Sequence, residues 1–375
     1  MGFKIIAKDA NSKARTGLLE VKGKEIETPF FMPVATKSSV KYISSEDLES
    51  MGAKAVICNS FVLFFRPGDE VMKKIGGIGK FMSFPGIVFT DSGGFQMYSE
   101  YLYLGSDNEG ILFRNPFSGE KVKISPEKAI EIQTSLGGDV AMCLDSMPLI
   151  EETRKGVEEA VYYTKKWAER CKLHHSKIRT KTEKENRQLL FGIIQGGIYP
   201  DLREKSTKEI SAIDFDGYAI GGLALGETKE QEYSMIKVVK SFIPEEKPVY
   251  LMGAGDPLEL LEAISMGCDM FDSRYPTQNA RRGSLFSLNG RINIRSARYK
   301  EDKSGIDPEC NCFVCRNYSR SYIRHVLSQD EGNGLRLASF HNLYFLQRLM
   351  EKARESIKEG KFSEFKEKFT KNYGN

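Results

Sequence analysis

The sequence Leu190-Phe-Gly-Ile-Ile-Gln-Gly-Gly197 shows the pattern from which the architecture of this chain is inferred. A short apolar run ends in a polar side chain and two glycines, which is typical of a strand buried on both faces of a parallel sheet. The theme recurs along the chain, and a helical pattern follows the polar or glycine-rich turn. The eight strand candidates are residues 30–35, 55–59, 87–90, 140–144, 190–194, 218–220, 249–252 and 270–271.

Eight strand–helix units over about 245 residues match the size of a (β/α)8 barrel. Two helix starts support the alternation. Ser44-x-x-Asp47 resembles a capping box, and Ser125 precedes a proline at the first helical position. An open, doubly wound sheet has the same alternation and stays as the alternative. The strand count and the size favour an α/β barrel.

Other segments surround this core. Residues 1–28 are expected to form an N-terminal hairpin, and an insertion at 98–123 has the turn residues of β-hairpins. After residue 283 the pattern changes, and helices are expected near 319–328 and 340–358. We therefore predict a barrel domain over 1–283 and a second unit over 284–375.

The composition is that of a soluble globular protein, with 40% hydrophobic and 28% charged residues among 375. No apolar run approaches the ~18–20 residues of a membrane span, and the first residues do not resemble a secretory signal. A cytoplasmic location is therefore expected.

The formal net charge of +4 excludes a polycation, so any nucleic-acid binding needs a local basic patch. Residues 274–303 contain eight basic and two acidic residues. A solvated loop surface would explain such a run. Its position between two chemical motifs favours a surface that contacts phosphates.

Three of the seven cysteines form one cluster, Cys310-x-Cys312-x-x-Cys315, and His341 follows after twenty-five residues. Three thiolates and one imidazole are a standard closed ligand set for tetrahedral Zn²⁺. His325 is a rival fourth ligand; His341 is preferred because it opens a helix and precedes Asn342. Since a closed set leaves no open position, we predict one structural zinc ion.

Polar side chains follow several predicted strands. Asp91, Asp145, Gln195 and Asp272 come directly after or at the end of such runs, and so do several glycines. The carboxyl ends of barrel strands converge on one mouth, so these groups are expected to share a cavity. Any one aspartate could instead cap a helix, but three of them together with a glutamine make that interpretation weaker.

Such a cavity suits a purine. A carboxylate accepts from guanine N1–H and the amino group, and a glutamine amide donates to O6. Phe95 and Met252 offer surfaces that could sandwich a ring. A second carboxylate could attack a sugar carbon while a third transfers a proton. No GxxxxGK[ST] loop occurs, so ATP is not implied.

Over nearly its whole length the sequence resembles the tRNA-guanine transglycosylases, also called queuine tRNA-ribosyltransferases. Besides the four metal-ligand candidates and Asp272, the motifs are Phe31-Met-Pro-Val34, Arg66-Pro-Gly68, Asp91-Ser-Gly-Gly-Phe-Gln96, Phe191-Gly-Ile-Ile-Gln-Gly-Gly197, Gly221-Gly-Leu-Ala224 and Tyr250-Leu-Met-Gly253.

The resemblance implies an irregular (β/α)8 TIM barrel with an attached C-terminal zinc-binding subdomain, working as a homodimer. It implies exchange of guanine at the wobble position of tRNAs with GUN anticodons. The incoming base would be 7-aminomethyl-7-deazaguanine, as in the bacterial branch. By matched positions Asp272 would be the nucleophile that forms a covalent intermediate, and Asp91 the general acid/base. The base would be bound by Phe95, Asp145, Gln195, Gly222, Leu223 and Met252.

The chain departs from the family pattern at three places. It has Asp145-Ser-Met147 for Asp-Glu-Cys, Pro276-Thr-Gln278 for Pro-Thr-Arg, and Asn59-Ser-Phe-Val62 for Asn-Thr-Tyr-His. The arginine replaced by Gln278 helps to hold the anticodon loop in the family. Its role would pass to neighbouring basic residues, namely Arg274, Arg281 or Arg282.

Two other functions are compatible with parts of the pattern. A non-catalytic tRNA-binding partner subunit would keep the zinc motif and lose catalytic aspartates, whereas this chain retains Asp91, Asp145 and Asp272. A sugar-phosphate lyase of the same fold would need a Schiff-base lysine or a phosphate motif at a strand end, and neither is found.

Overall fold

The computed structural model describes residues 2–93, 102–148 and 152–374. Its strands in chain order are β1 (Gly2–Lys8), β2 (Arg15–Val21), β3 (Lys24–Thr28), β4 (Phe30–Pro33), β5 (Ala55–Cys58), β6 (Ile87–Thr90), β7 (Tyr103–Asp107), β8 (Gly110–Arg114), β9 (Lys121–Ile124), β10 (Val140–Met142), β11 (Leu189–Ile194), β12 (Gly217–Ile220), β13 (Val249–Leu251), β14 (Met270–Ser273), β15 (Ser284–Ser287) and β16 (Gly290–Asn293).

The helices are α1 (Ser45–Ser50), α2 (Ser60–Leu63), α3 (Asp69–Ile75), α4 (Ile78–Met82), α5 (Pro126–Ser135), α6 (Arg154–Thr180), α7 (Pro200–Ser211), α8 (Lys229–Lys240), α9 (Pro257–Ser265), α10 (Tyr275–Arg282), α11 (Phe313–Asn317), α12 (Arg320–Ser328), α13 (Gly332–Lys358) and α14 (Phe362–Tyr373). A π-helical turn lies at Phe64–Gly68, and short 3-10 turns lie at Lys184–Asn186 and Ala297–Tyr299. Among the described residues, no helix combines the length and the apolar character that a membrane span requires.

All eight predicted strands form one parallel sheet. Its order is β4-β14-β13-β12-β11-β10-β6-β5. A parallel bridge between Val34 and Ile57 joins the two end strands, and the Ala35 amide donates to the Ile57 carbonyl at 2.7 Å. The sheet therefore closes on itself, which confirms the barrel and excludes the open sheet.

The sequences of these strands are continuously apolar because both faces of each strand are buried. Every residue of β11 is buried. Phe89 packs edge-on against Phe191, with ring centroids 6.1 Å apart, and also against Tyr250. Truncation of such a buried phenylalanine to alanine costs about 3–5 kcal/mol of stability.

The predicted helix caps are present. The Ser44 side chain accepts from the Asp47 amide in a capping box, and the Ser125 side chain accepts from the Lys128 amide ahead of Pro126. Because each helix returns antiparallel to its strand, the segments that follow the strands lie at the mouth of the barrel.

The N-terminal segment has one strand more than the expected hairpin, because β1, β2 and β3 form a three-stranded antiparallel sheet. Arg15 on β2 forms a buried, two-pronged ion pair with Asp269, just before β14. This sheet therefore lies at the end of the barrel opposite the mouth.

In the described part of the insertion, β7, β8 and β9 form a second antiparallel sheet, as expected. The C-terminal segment is attached to the barrel through α13. The Gln347 amide donates to the Phe31 carbonyl at 3.1 Å, and Arg354 donates to the Pro29 carbonyl at 2.7 Å. The division of the chain at residue 283 stays a prediction.

Candidate active site and metal centre

The carboxylates predicted at the strand ends lie in the barrel mouth. Asp91 follows β6, Asp145 follows β10, and Asp272 lies near the end of β14. Asp91 and Asp272 are close enough for the charge of Asp272 to raise the pKa of Asp91. Gln195, after β11, donates to Asp145 Oδ2 at 2.7 Å. The four strand ends thus bring these side chains to one mouth, and two of them form a hydrogen-bonded pair.

Asp145 and Gln195 form a buried pair. The Ser92 hydroxyl donates to Asp145 Oδ1 at 3.0 Å, so both carboxylate oxygens accept hydrogen bonds. Burial raises the pKa of Asp145, and these two bonds oppose that effect. Gln195 Oε1 is buried without a hydrogen-bond partner among the described atoms. A buried acceptor without a partner is costly, and a ligand that donates a hydrogen bond to Gln195 Oε1 would remove this cost.

A glycine lets the backbone approach this pair. A Cβ at Gly222 would lie 2.4 Å from Gln195 Oε1, and Gly222 has a φ of +65°. No other residue would fit there without displacing the amide.

Asp272 is held at one oxygen only. The Tyr250 hydroxyl and the Gly253 amide both donate to Oδ1, the latter at 3.1 Å. Oδ2 makes no hydrogen bond with any described residue. Desolvation raises the pKa of Asp272, while the two donors oppose the rise. The carboxylate is therefore fixed in orientation with one oxygen available for reaction.

Asp91 accepts three hydrogen bonds. The Asn59 side chain donates to Oδ2 at 2.8 Å, and the amides of Ser60 and Gly93 donate to Oδ1, each at 3.1 Å. Desolvation is nevertheless the larger effect, and together with the charge of Asp272 it raises the pKa of Asp91 to about 7. A carboxyl with this pKa can both give and take a proton near neutral pH.

Arg203 and Glu227 fix the backbone that follows β12. The buried Arg203 guanidinium donates to four carbonyls at 2.8–3.1 Å, those of Ile194, Gly197, Gly221 and Gly222. Desolvation lowers the pKa of Arg203 to about 9. Glu227 accepts from the amides of residues 224–226. These contacts hold the Gly222–Leu223 backbone beside Gln195.

Two more of the predicted base contacts follow β12 and β13. Leu223 is buried, and Met252, just after β13, is half-buried. Phe95 lies outside the described residues. Ser146 and Met147, which differ from the family pattern, are both buried. The Ser146 amide donates to Thr164 Oγ1 on α6 at 2.9 Å.

The predicted RNA-contacting side chains share one surface on and just before α10. A cavity of about 310 Å³ is lined by Arg274, Gln278, Arg281 and Arg282. Arg281 Nη1 is buried without a hydrogen-bond partner among the described residues. Because α10 follows β14, this cationic cavity adjoins Asp272.

The cysteine cluster forms a candidate metal centre. The ligand atoms of Cys310, Cys312, Cys315 and His341 lie within 4.8 Å of one another. The three Sγ atoms lie 3.9, 3.6 and 3.3 Å from His341 Nδ1. Tetrahedral zinc requires S···N separations of about 3.6 Å. The four side chains therefore fit such an ion.

The surroundings of His341 determine which of its ring nitrogens is free to bind a metal ion. His341 Nε2 lies 2.7 Å from the Phe286 carbonyl, so it donates there and leaves Nδ1 facing the thiols. Asn342 accepts from the Phe286 amide and donates to the carbonyls of Pro276 and Ser284. His325 is exposed and lies outside the cluster, whereas His341 belongs to it. His341 lies inside α13, which begins at Gly332, and not at the start of a helix as expected.

The roles of three groups in the mouth are not predicted by the sequence analysis above. Tyr250 stands out only within a motif, Asn59 only within a departure from the family pattern, and Arg203 not at all. Asn59 follows β5, so the strand-end rule could have found it. Nothing in the sequence signals that the Tyr250 hydroxyl reaches Asp272 or that Arg203 is buried.

Comparison with known proteins gives a consistent result. A family model described as "Queuine tRNA-ribosyltransferase" matches residues 9–375. A protein of that name from Fusobacterium nucleatum is 47% identical over 367 residues, covering 97% of this chain and 96% of its own length. Those from Desulforamulus reducens and Geobacillus kaustophilus are 44% and 41% identical. The match to the Desulforamulus reducens protein covers 98% of this chain and 98% of that protein's length. The match to the Geobacillus kaustophilus protein covers 99% of this chain and 96% of that protein's length.

Proposed function

The chain belongs to the queuine tRNA-ribosyltransferase family, and on that premise we propose that it is a tRNA-guanine transglycosylase, a pentosyltransferase. Its substrates would be tRNAs with GUN anticodons, in which 7-aminomethyl-7-deazaguanine replaces guanine at the wobble position. One observation supports this more than any other. A carboxylate with a free oxygen, Asp272, lies in the same mouth as a carboxyl of near-neutral pKa, Asp91, and as the hydrogen-bonded pair of Asp145 and Gln195.

In the first half of the proposed reaction, Asp272 Oδ2 attacks ribose C1′. The C1′–Oδ2 bond forms as the C1′–N9 bond to guanine breaks, and Asp91 gives a proton to the leaving base. Tyr250 and Gly253 donate to Oδ1, which leaves Oδ2 available to attack the ribose.

In the second half, Asp91 takes the proton from N9 of the incoming base. That nitrogen attacks C1′ and displaces the Asp272 carboxylate, which restores the enzyme. One glycosidic bond is broken and one is made, so no nucleotide triphosphate is consumed.

Base recognition is assigned to the buried pair. Asp145 would accept from the N1–H and the exocyclic amine of guanine, and Gln195 would exchange its bond to Asp145 for one to the base. The Gly222 and Leu223 backbone would complete the edge. Phe95 and Met252 are proposed to lie on either side of the base ring. For Phe95 this proposal rests on the family resemblance alone.

RNA binding is assigned to the cationic cavity of Arg274, Gln278, Arg281 and Arg282. Arg281 would supply its unpartnered Nη1 to a phosphate and replace the family arginine that is absent at position 278. Because anticodon loops are single-stranded, extruding the target base costs little.

One structural zinc ion is proposed at Cys310, Cys312, Cys315 and His341. The ion would complete the coordination of these side chains and tie α11 to α13, with no part in the reaction. A homodimer and a cytoplasmic location complete the proposal, and light scattering of the purified protein tests the first of these.

The decisive experiment is incubation with a GUN tRNA and radiolabelled guanine, with and without 7-aminomethyl-7-deazaguanine. We expect incorporation of guanine and competition by the deaza base. Asp272→Ala should abolish incorporation while zinc content and melting temperature are kept. Tight tRNA binding without any incorporation would favour the alternative, a non-catalytic partner subunit.

A further inference from the structure

A second cationic surface lies on the rim of the barrel mouth, and the proposed function assigns no role to the side chains that form it. The Arg66 guanidinium stacks over the Phe117 ring, 4.1 Å from its centroid. Arg66 is exposed, and Phe117 is 38% exposed at the tip of the β8–β9 hairpin. Arg66 makes no hydrogen bond or ion pair with any described residue. An exposed cation on an aromatic face forms a flat platform of the kind on which unpaired bases stack.

The same hairpin has an unusual pair of like charges. Arg114 on β8 lies directly opposite Lys121 on β9 in the antiparallel register, and both are exposed. Neither has an ion-pair partner in the part of the chain that is described. Their neighbour Lys123, by contrast, pairs with Asp107 at 2.8 Å. Like charges directly opposite each other destabilise a sheet. A polyanionic partner would relieve that repulsion.

Aromatic packing connects this surface to the segment after β6 that carries Asp91. Phe117 contacts Phe65, whose ring lies 5.2 Å from that of Phe61. Phe61 packs in turn against the backbone of Gly93, where a Cβ would lie 2.5 Å from the Phe61 Cβ. The Gly93 amide donates to Asp91. The rim surface is thus built on the loops that hold the proposed general acid.

The strand order places this surface relative to the cationic cavity. Arg66 follows β5 and the hairpin follows β6, whereas the cavity on α10 follows β14. Only β4 separates β5 from β14 in the closed barrel. An RNA strand that enters the mouth over α10 would therefore pass toward the rim surface after the reactive nucleotide.

We propose that the rim surface, defined as Arg66, Phe117, Arg114 and Lys121, binds the unpaired RNA strand beside the exchanged nucleotide. One base stacks on the Arg66–Phe117 platform, and Arg114 and Lys121 contact phosphates. This inference rests on the proposed function, since it takes the partner to be the anticodon loop of the substrate tRNA.

The test is a set of variants in the zinc-loaded, full-length protein, measured by guanine exchange into an anticodon stem-loop. Phe117→Ala and Arg66→Lys should each raise KM for the RNA about fivefold to tenfold and leave kcat unchanged. Arg66→Lys keeps the charge, so its effect isolates stacking. The double variant Arg114→Gln/Lys121→Gln should reduce the slope of log Kd against log salt by about 1.4.

Lys208→Ala is the matched control. Lys208 also lies over an aromatic ring, that of Phe242, at 4.6 Å, but near the C-terminal end of α7, at the end of the barrel opposite the mouth. Its KM and salt slope should equal those of the unaltered protein.

Unchanged KM and salt slope in the rim variants, with exchange intact in the unaltered protein, would overturn this inference and leave the proposed function standing. A change in oligomeric state by light scattering, without a change in KM, would overturn it as well, because the surface would then bind a second copy of the chain. Absence of exchange in the unaltered protein would refute the proposed function itself.

Discussion

Replacing Tyr250 with phenylalanine tests how the mouth sets the reactivity of Asp272. The Tyr250 ring is wholly buried against Phe89, so Tyr250→Phe keeps the packing and removes only the hydroxyl that donates to Oδ1. A hydrogen bond to a charged acceptor contributes about 1.5–3 kcal/mol. One pKa unit corresponds to about 1.4 kcal/mol, so the pKa of Asp272 should rise by about one to two units.

The direction in which the pH profile moves follows from the protonation state in which Asp272 reacts. Asp272 attacks as the carboxylate, and the lost donor had favoured that form. The acidic limb of kcat/KM against pH should therefore move up by about one to two units. The maximum of kcat should also fall about tenfold, since only Gly253 then orients the carboxylate.

Guanine exchange measured between about pH 5 and 9 gives this profile. Tyr218→Phe is the control, because Tyr218 is equally buried but donates to the Ser211 carbonyl, at 3.2 Å. An acidic limb that stays in place in Tyr250→Phe, or one that moves equally in Tyr218→Phe, would refute the assigned role of this hydrogen bond.

Three further changes have defined outcomes. Asn59→Ala removes a donor to Asp91 Oδ2, so the pKa of Asp91 should rise further above its value of about 7 and the basic limb of the same profile should move up; a fixed basic limb would argue against Asp91 as the acid. Cys315→Ser removes one thiolate, and elemental analysis should then find far less than one zinc per chain, with a melting temperature lower by about 5 °C or more. Full zinc content would argue against this ligand set. Arg203→Met leaves four carbonyls without their donor, so KM for the incoming base should rise about tenfold while KM for tRNA stays the same; equal changes in both would indicate a general loss of structure.

The sequence was sufficient for the barrel because strands buried on both faces leave continuous apolar runs. The residues at their ends then had to meet at one mouth. Asp91, Asp145, Gln195 and Asp272 could therefore be placed at the mouth without knowledge of any side-chain contact. The candidate metal centre could also be predicted from the sequence, since core packing alone rarely places three cysteines within six residues.

Contacts that depend on strand register and on segments distant in the sequence could not be predicted. Tyr250 lies opposite Met270 in the β13–β14 pairing, so its hydroxyl reaches Asp272 two residues further along. In the sequence Arg203 resembles an ordinary polar residue of α7. Only the structure shows that it donates to carbonyls at the ends of two strands. The sequence favoured His341 over His325, but only the structure places His341 beside the thiols.

The most direct test of the central claim is the identity of the residue that bonds to ribose. The protein is incubated with a GUN tRNA in the absence of free base and denatured rapidly. The adduct is then digested and mapped by mass spectrometry. We predict a ribose ester on Asp272 and no adduct in Asp272→Asn. An ester on Asp91, or efficient base exchange by Asp272→Ala, would contradict the account.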